Sequence, residues 1–175
     1  NIHRIASRID GKYKIYAGCF SRNHKINSNF GRLLDLAKNR CYSNYKTMAE
    51  IEFKRTDGID VVAIMTPPGS HQAIAEYFIK KNIHIISDKP FAANYAQAKK
   101  LYSAIKKNKK IVYGLTHNYS AYPMVREAKK IVKDGKIGNI EFINVEYVQD
   151  WSNGTIVNKK NSKKIFRWKL DKKIV

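Results

Sequence analysis

The sequence predicts an α/β fold: a doubly wound parallel sheet, followed by the start of an α+β domain. Three observations carry this expectation. Short apolar runs at 61–65, 83–87 and 111–116 alternate with two amphipathic stretches of helical length. Strand, helix, strand, helix, strand at this spacing implies right-handed crossovers and parallel pairing. Beyond Thr116 the pattern changes. Residues 140–148 alternate, with Ile143, Val145 and Tyr147 on one side and Asn144 and Glu146 on the other, as in a sheet with one face in water.

The elements follow in order. Ile2, Ile5, Ala6 and Ile9 share one helical face, and Asp10-Gly11 stops it. Residues 15–20 read as a short buried strand, with Cys19 as a buried free thiol. Phe30, Leu33, Leu34 and Ala37 repeat a helical stripe, capped by Asn27 or Ser28. Thr47 and Glu50 have capping-box spacing and open another helix. Val61, Val62, Ala63, Ile64 and Met65 form a β-branched run of the kind covered on both faces. Thr66, Pro67, Pro68 and Gly69 break it, and Ser70 caps a helix carrying Ile74, Ala75, Phe78 and Ile79 inward. Asn94 and Gln97 make a second capping box, ahead of a stripe of Ala98, Leu101, Tyr102 and Ile105. Pro123 suits a first helical position, Val125, Ala128 and Val132 form the stripe, and Gly135 ends it. Residues 151–164 are polar and read as a loop. The domain division falls between Tyr119 and Pro123, giving 1–120 and 121–175.

Composition bounds the function. The chain has 175 residues with 43% hydrophobic, enough for a real core. No apolar run approaches the ~20 residues of a membrane helix. It opens on Asn1 without an initiator Met or a signal core, which reads as a truncation. Two cysteines cannot alone define a zinc site, and no metal is expected; a reducing, cytoplasmic setting fits them. The net charge of +20 raises a nucleic-acid partner. The lysine pairs, however, are scattered: Lys80-Lys81, Lys99-Lys100, Lys106-Lys107, Lys109-Lys110, Lys129-Lys130 and Lys163-Lys164. They read as solvated helix faces from a lysine-biased genome, so neither nucleic acid nor membrane is the expected partner.

In an open parallel sheet, ligands bind beyond the carboxyl ends of the strands. That rule selects Ser21-Arg22, then Thr66 to His71, Asp88-Lys89-Pro90, and His117-Asn118-Tyr119. Thr-Pro-x-x-x-His after one strand, followed by a helix, a strand and Asp-Lys-Pro, resembles the Gfo/Idh/MocA oxidoreductases. The likeness extends to Ala17-Gly18-Cys19-Phe20-Ser21-Arg22, to Tyr122-Pro123-Met124-Val125-Arg126, to Gly135-Lys136-Ile137-Gly138, to Tyr147-Val148-Gln149-Asp150-Trp151 and to Arg167-Trp168.

The resemblance implies a Rossmann-type domain lacking its first strand, joined to the start of a substrate and oligomerisation domain. The parent enzyme would use NAD or NADP to move a hydride to or from a hydroxyl-bearing carbon of a sugar or cyclitol. Lys89 would be catalytic, bonding the reacting oxygen and the cofactor. Asp88 would hold a nicotinamide-ribose hydroxyl or orient Lys89, and the bond before Pro90 is often cis in the family. Thr66, Pro67 and His71 would line the cofactor, although His71 is equally readable as a first-turn helix histidine with no ligand. Ser21 and Arg22 offer a hydroxyl and a cation where an acidic residue would select NAD, so NADP is favoured. Asn118, Tyr119, Arg167 and Trp168 are substrate-side candidates, with packing roles for Tyr119, Arg167 and Trp168 as alternatives. Pro68-Gly69 departs from relatives that often carry Asn there. The family's Gly-rich phosphate turn and its Asp…His element are not in this sequence, so the 175 residues alone read as an inactive fragment with weak cofactor affinity. The parent is expected to be a homo-oligomer. The competing readings are a noncatalytic, basic nucleotide- or nucleic-acid-binding module, and a degenerate remnant.

Overall fold

A computed structural model of the chain describes residues 2–148. The chain divides into two compact units, Asn1–Leu115 and Thr116–Val175. Arg167, Trp168 and the loop expected at 151–164 lie outside the described residues.

The first unit runs α1 (Ile2–Ala6), α2 (His24–Leu33), α3 (Tyr45–Lys54), β1 (Val61–Ile64), α4 (His71–Ile79), β2 (His84–Asp88), α5 (Tyr95–Lys107) and β3 (Tyr113–Thr116), whose last residue begins the second unit. The strands form one sheet in the order β1-β2-β3. β1 and β2 are parallel, with Val61 opposite His84 and Ile64 opposite Ser87. This is the α/β Rossmann arrangement that the strand–helix alternation predicts. The core forms where α4 lies on the sheet: Ile74, Ala75, Phe78 and Ile79 meet Val62, Ile64 and Ile85, with Leu101 from α5 and Met48 and Ala49 from α3. Phe78 and Leu101 are fully buried, so each contributes about 1.5–3 kcal/mol of apolar burial.

Helix starts are set by asparagine. Asn23, Asn44 and Asn94 each accept a hydrogen bond from a backbone N–H three residues on, at Ile26, Thr47 and Gln97. The expected Asn94–Gln97 box is close to what forms: the Gln97 side chain accepts from the Ala93 N–H at 3.2 Å. The α3 start lies two residues before the expected Thr47, because the short Asn44 side chain reaches the Thr47 amide at 2.9 Å. At α2 neither Asn27 nor Ser28 is the cap. Asn27 lies within the helix and is buried with Gly31, while Phe30 and Leu33 face solvent. The reason is polar: the Asn27 amide satisfies three backbone groups that would otherwise be buried without partners.

Three further expectations are corrected. Residues 15–20 do not form a buried strand: one parallel bridge joins Gly18 to Cys41, Tyr16 is 46% exposed and Cys19 is solvent-accessible. A single bridge pins one residue and leaves its neighbours unpaired. In β1 one face is buried through Val62 and Ile64, while Ala63 and Met65 are exposed among the described residues. The stripe expected at 2–9 is not covered: Ile2, Ile5, Ala6 and Ile9 are all exposed and the helix ends at Ala6, while in α5 Leu101 is buried and Tyr102 is exposed.

In the second unit a 3₁₀ turn, Asn118–Ala121, precedes α6 (Pro123–Lys133), which opens on Pro123 as expected. Gly135, at φ 67, closes α6: its N–H bonds Val132 and that of Lys136 bonds Ile131. Tyr119 stacks edge-on with Tyr122 and Tyr147. No strand forms over 140–148, where Phe142, Val145 and Val148 are exposed. Alternation predicts a strand only where a neighbouring strand accepts its backbone hydrogen bonds, and none does so among the described residues.

Candidate functional site

The site is assembled where β1 and β2 end. Pro67 and Pro68 cannot continue the ladder, so the chain turns at Thr66 through the Pro68–Ser70 3₁₀ turn into α4. Ser70 stands at the N-cap position but does not cap the helix. Its hydroxyl sits 2.8 Å from the Thr66 hydroxyl and donates to the Pro67 carbonyl at 2.8 Å, tying the loop to itself. Thr66 and Pro67 are exposed.

Next to it, β2 ends at Asp88 and the chain passes through a cis Lys89–Pro90 bond. Lys89 is exposed, and its ammonium has no hydrogen bond or ion pair with any described residue. The backbone on both sides of it is held. Asp88 Oδ1 lies 2.7 Å from His3 Nε2 on α1. The carbonyl of Pro90 lies 2.9 Å from His71 Nδ1, and Phe91 packs edge-on against Tyr113 at 5.4 Å. Burial pushes the Tyr113 phenol up, and the neighbouring Ser87 hydroxyl draws it partly back.

His71 lies beneath these two loops, not on their surface. It is 1% exposed, and its ring joins the two loops, with Nε2 2.6 Å from the Thr66 carbonyl. His71 is the first residue of α4, in the first turn as one of its two sequence readings has it. Both ring nitrogens are taken up by protein backbone.

Ser21 and Arg22 follow the Gly18 bridge. Asn27 Oδ1 accepts from the Phe20 N–H at 2.8 Å and the Ser21 N–H at 3.4 Å, and its amide nitrogen donates to the Tyr42 carbonyl at 2.9 Å. The Ser21 hydroxyl accepts from the Asn23 N–H, and Arg22 is exposed. Among the described residues no hydrogen bond joins this loop to those of Thr66 or Lys89. Asn118 and Tyr119 belong to the second unit, where both are exposed and Tyr119 accepts from the Tyr147 hydroxyl at 3.1 Å.

The sequence reading missed His3 and gave Asn27 a different role, that of helix cap. Nothing local marks His3, whose partner is 85 residues away. Asn27 did carry a signal: an asparagine inside a helix competes with its backbone unless it bonds elsewhere. Among the described residues no group of His, Cys, Asp and Glu could hold a metal ion, and no helix is long and apolar enough to cross a membrane.

The arrangement presents a lysine ammonium, a carboxylate and a threonine hydroxyl at the carboxyl ends of adjacent parallel strands. The profile of an oxidoreductase family with an NAD-binding Rossmann fold matches residues 16–116. An uncharacterized oxidoreductase of Bacillus subtilis, YfiI, is 34% identical over 146 residues, covering 83% of this chain and 37% of that protein. A crystal structure of an oxidoreductase from Sinorhizobium meliloti is similar with a TM-score of 0.83 and 42% identity, over 87% of this chain and 43% of that one. An inositol dehydrogenase homolog from Azotobacter vinelandii, solved with NADH and myo-inositol, gives 0.75 and 32%, over 79% and 36%. The chain thus spans less than half the length of these relatives. A Rossmann sheet matched across its strands and the Asp-Lys-Pro turn together place the chain in the Gfo/Idh/MocA family of NAD-binding oxidoreductases.

Proposed function

We propose that the protein of which this chain is part transfers a hydride between a nicotinamide cofactor and a hydroxyl-bearing carbon of a sugar or cyclitol. The observation that carries the reading is the exposed Lys89 ammonium on a loop whose two flanking residues are anchored, beside the Thr66 loop. A cation, a carboxylate and a hydroxyl fit a cofactor that brings phosphates, ribose hydroxyls and an amide. The bound nicotinamide supplies the hydride chemistry. Lys89 donates a hydrogen bond to the substrate oxygen, stabilising negative charge as the C–H bond breaks or forms. Asp88 binds a ribose hydroxyl, and Thr66 and Pro67 flank the cofactor. Asn118, Tyr119, Arg167 and Trp168 are the substrate-side residues of this reading. Its field of +20 draws in an anionic cofactor.

NADP is the preferred form in this reading. Ser21 and Arg22 place a hydroxyl and an exposed guanidinium where a carboxylate would repel a 2′-phosphate. The free thiols Cys19 and Cys41 are consistent with a reducing cytoplasm. The exposed apolar side chains of Phe142, Val145 and Val148 support assembly of the parent into a homo-oligomer through its second domain.

The test is an amide chemical-shift titration of the 175-residue chain with NADPH and with NADH, up to millimolar nucleotide. Shifts confined to Thr66, Gly69, Ser70, Asp88 and Lys89, with Ser21 and Arg22 responding to NADPH more than to NADH, support the reading. A response spread over the α5 lysines, reproduced by a short DNA duplex and erased by salt, replaces it with a basic polyanion-binding module.

A further inference from the structure

The strongest unassigned feature is the His71 ring. It is 1% exposed, yet neither ring nitrogen faces a core side chain. Nδ1 is 2.9 Å from the Pro90 carbonyl and Nε2 is 2.6 Å from the Thr66 carbonyl. Both partners are pure acceptors, so the ring is their donor: one N–H serves one carbonyl at a time, and two serve both. Those two carbonyls belong to the loops that leave β1 and β2, two and three residues beyond the paired Ile64 and Ser87, so the ladder brings the loops alongside and the ring bridges them.

We propose that His71 is a positioning residue, a buried strut that sets the distance between the Thr66 loop and the Lys89–Pro90 loop. This rests on the proposed dehydrogenase reading only for its consequence, the placement of Lys89. Pro90 directly follows Lys89, so holding its carbonyl holds the lysine's backbone. Asp88 is held on the other side by His3 at 2.7 Å. The lysine side chain stays exposed between two fixed points and is aimed by them. α4 does not need the strut to fold, because Ile74, Ala75, Phe78 and Ile79 anchor the helix to the sheet independently. A buried aromatic ring without N–H groups would keep the packing and leave both carbonyls without a donor.

The experiment is backbone ¹⁵N relaxation on the 175-residue chain, wild type against His71→Phe and His71→Gln. In the wild type both loops are as rigid as the core, with order parameters near about 0.85. In His71→Phe the amides of Thr66, Ser70, Lys89 and Phe91 fall below roughly 0.6, while residues 61–64 and 74–79 keep wild-type values. His71→Gln retains one short donor arm and rescues one loop, leaving the other mobile. A residue that merely filled space would loosen neither loop in His71→Phe, or would loosen the core equally, and either result overturns the proposal. Should His71→Phe fail to fold, His71→Gln decides: two loops as rigid as wild type overturn the strut. The NADPH titration of the wild type is a separate readout. Rigid loops that ignore the nucleotide would sink the dehydrogenase reading and leave the strut standing.

Discussion

Glu52→Gln is the substitution that most sharply tests the polar half of the core. Glu52 is 1% exposed on α3, and Arg40 beside it is 3% exposed. One carboxylate oxygen accepts from Arg40 at 2.6 Å and the other from the Tyr42 hydroxyl at 2.6 Å. Arg40 also bonds the Asp57 side chain at 2.8 Å and its carbonyl at 3.0 Å. Glutamine keeps the shape but offers one acceptor and one donor to two donors. One charge-assisted bond is lost, about 1.5–3 kcal/mol, and one buried donor loses its partner, about 1–3 kcal/mol. Breaking a buried pair typically costs about 3–5 kcal/mol. Because Arg40 keeps Asp57, the low end applies, and we expect about 3 kcal/mol. Urea unfolding followed by circular dichroism reads this as a lower midpoint at unchanged slope. A loss under about 1 kcal/mol would show that the cluster does not behave as a dry network.

Other outcomes follow from the same contacts. Burial first, and the bond to Glu52 second, push the Tyr42 phenol up to about 12. The unfolded chain therefore loses that proton first, so stability falls as pH rises from about 10 towards 12, by on the order of 1–3 kcal/mol; the wild-type–Tyr42→Phe difference in unfolding free energy should shrink over that window, and a constant difference would refute it. Asn27→Ala removes one buried and two part-buried bonds and should cost on the order of 2–4 kcal/mol, with the Phe20 and Ser21 amides exchanging faster by NMR. A Cβ at Gly31 would meet the Cys41 sulfur at 2.5 Å, so Gly31→Ala should cost about 1–3 kcal/mol, and Cys41→Ala in the same chain should recover most of it in thermal melts. Asn94→Ala removes the α5 cap and should cost about 1 kcal/mol, seen as a lower melting temperature.

What the sequence reveals here is what local pattern determines. The β-branched run at 61–64, the inward stripe of Ile74, Ala75, Phe78 and Ile79, and the cap at Asn94 each follow from spacing alone, and each is present. The expectations that failed depended on distant partners. Residues 15–20 and 140–148 have strand composition, but pairing requires a neighbour that composition does not supply. Asn27 and Phe30 exchanged places between core and surface because three backbone groups needed a polar partner more than the core needed a ring. At the site, the strand-end rule and the Asp-Lys-Pro turn locate Lys89 and Thr66, whereas the contacts that hold them, His3 to Asp88 and His71 to two carbonyls, arise only on folding.

The most direct test of the central claim is a crystal structure of the chain grown with NADPH. The account predicts the nicotinamide ribose between the loops of Thr66 and Asp88, with the Lys89 ammonium beside the ring's reactive carbon. Nucleotide bound along the α5 lysines, with Lys89 turned away from it, would contradict that claim.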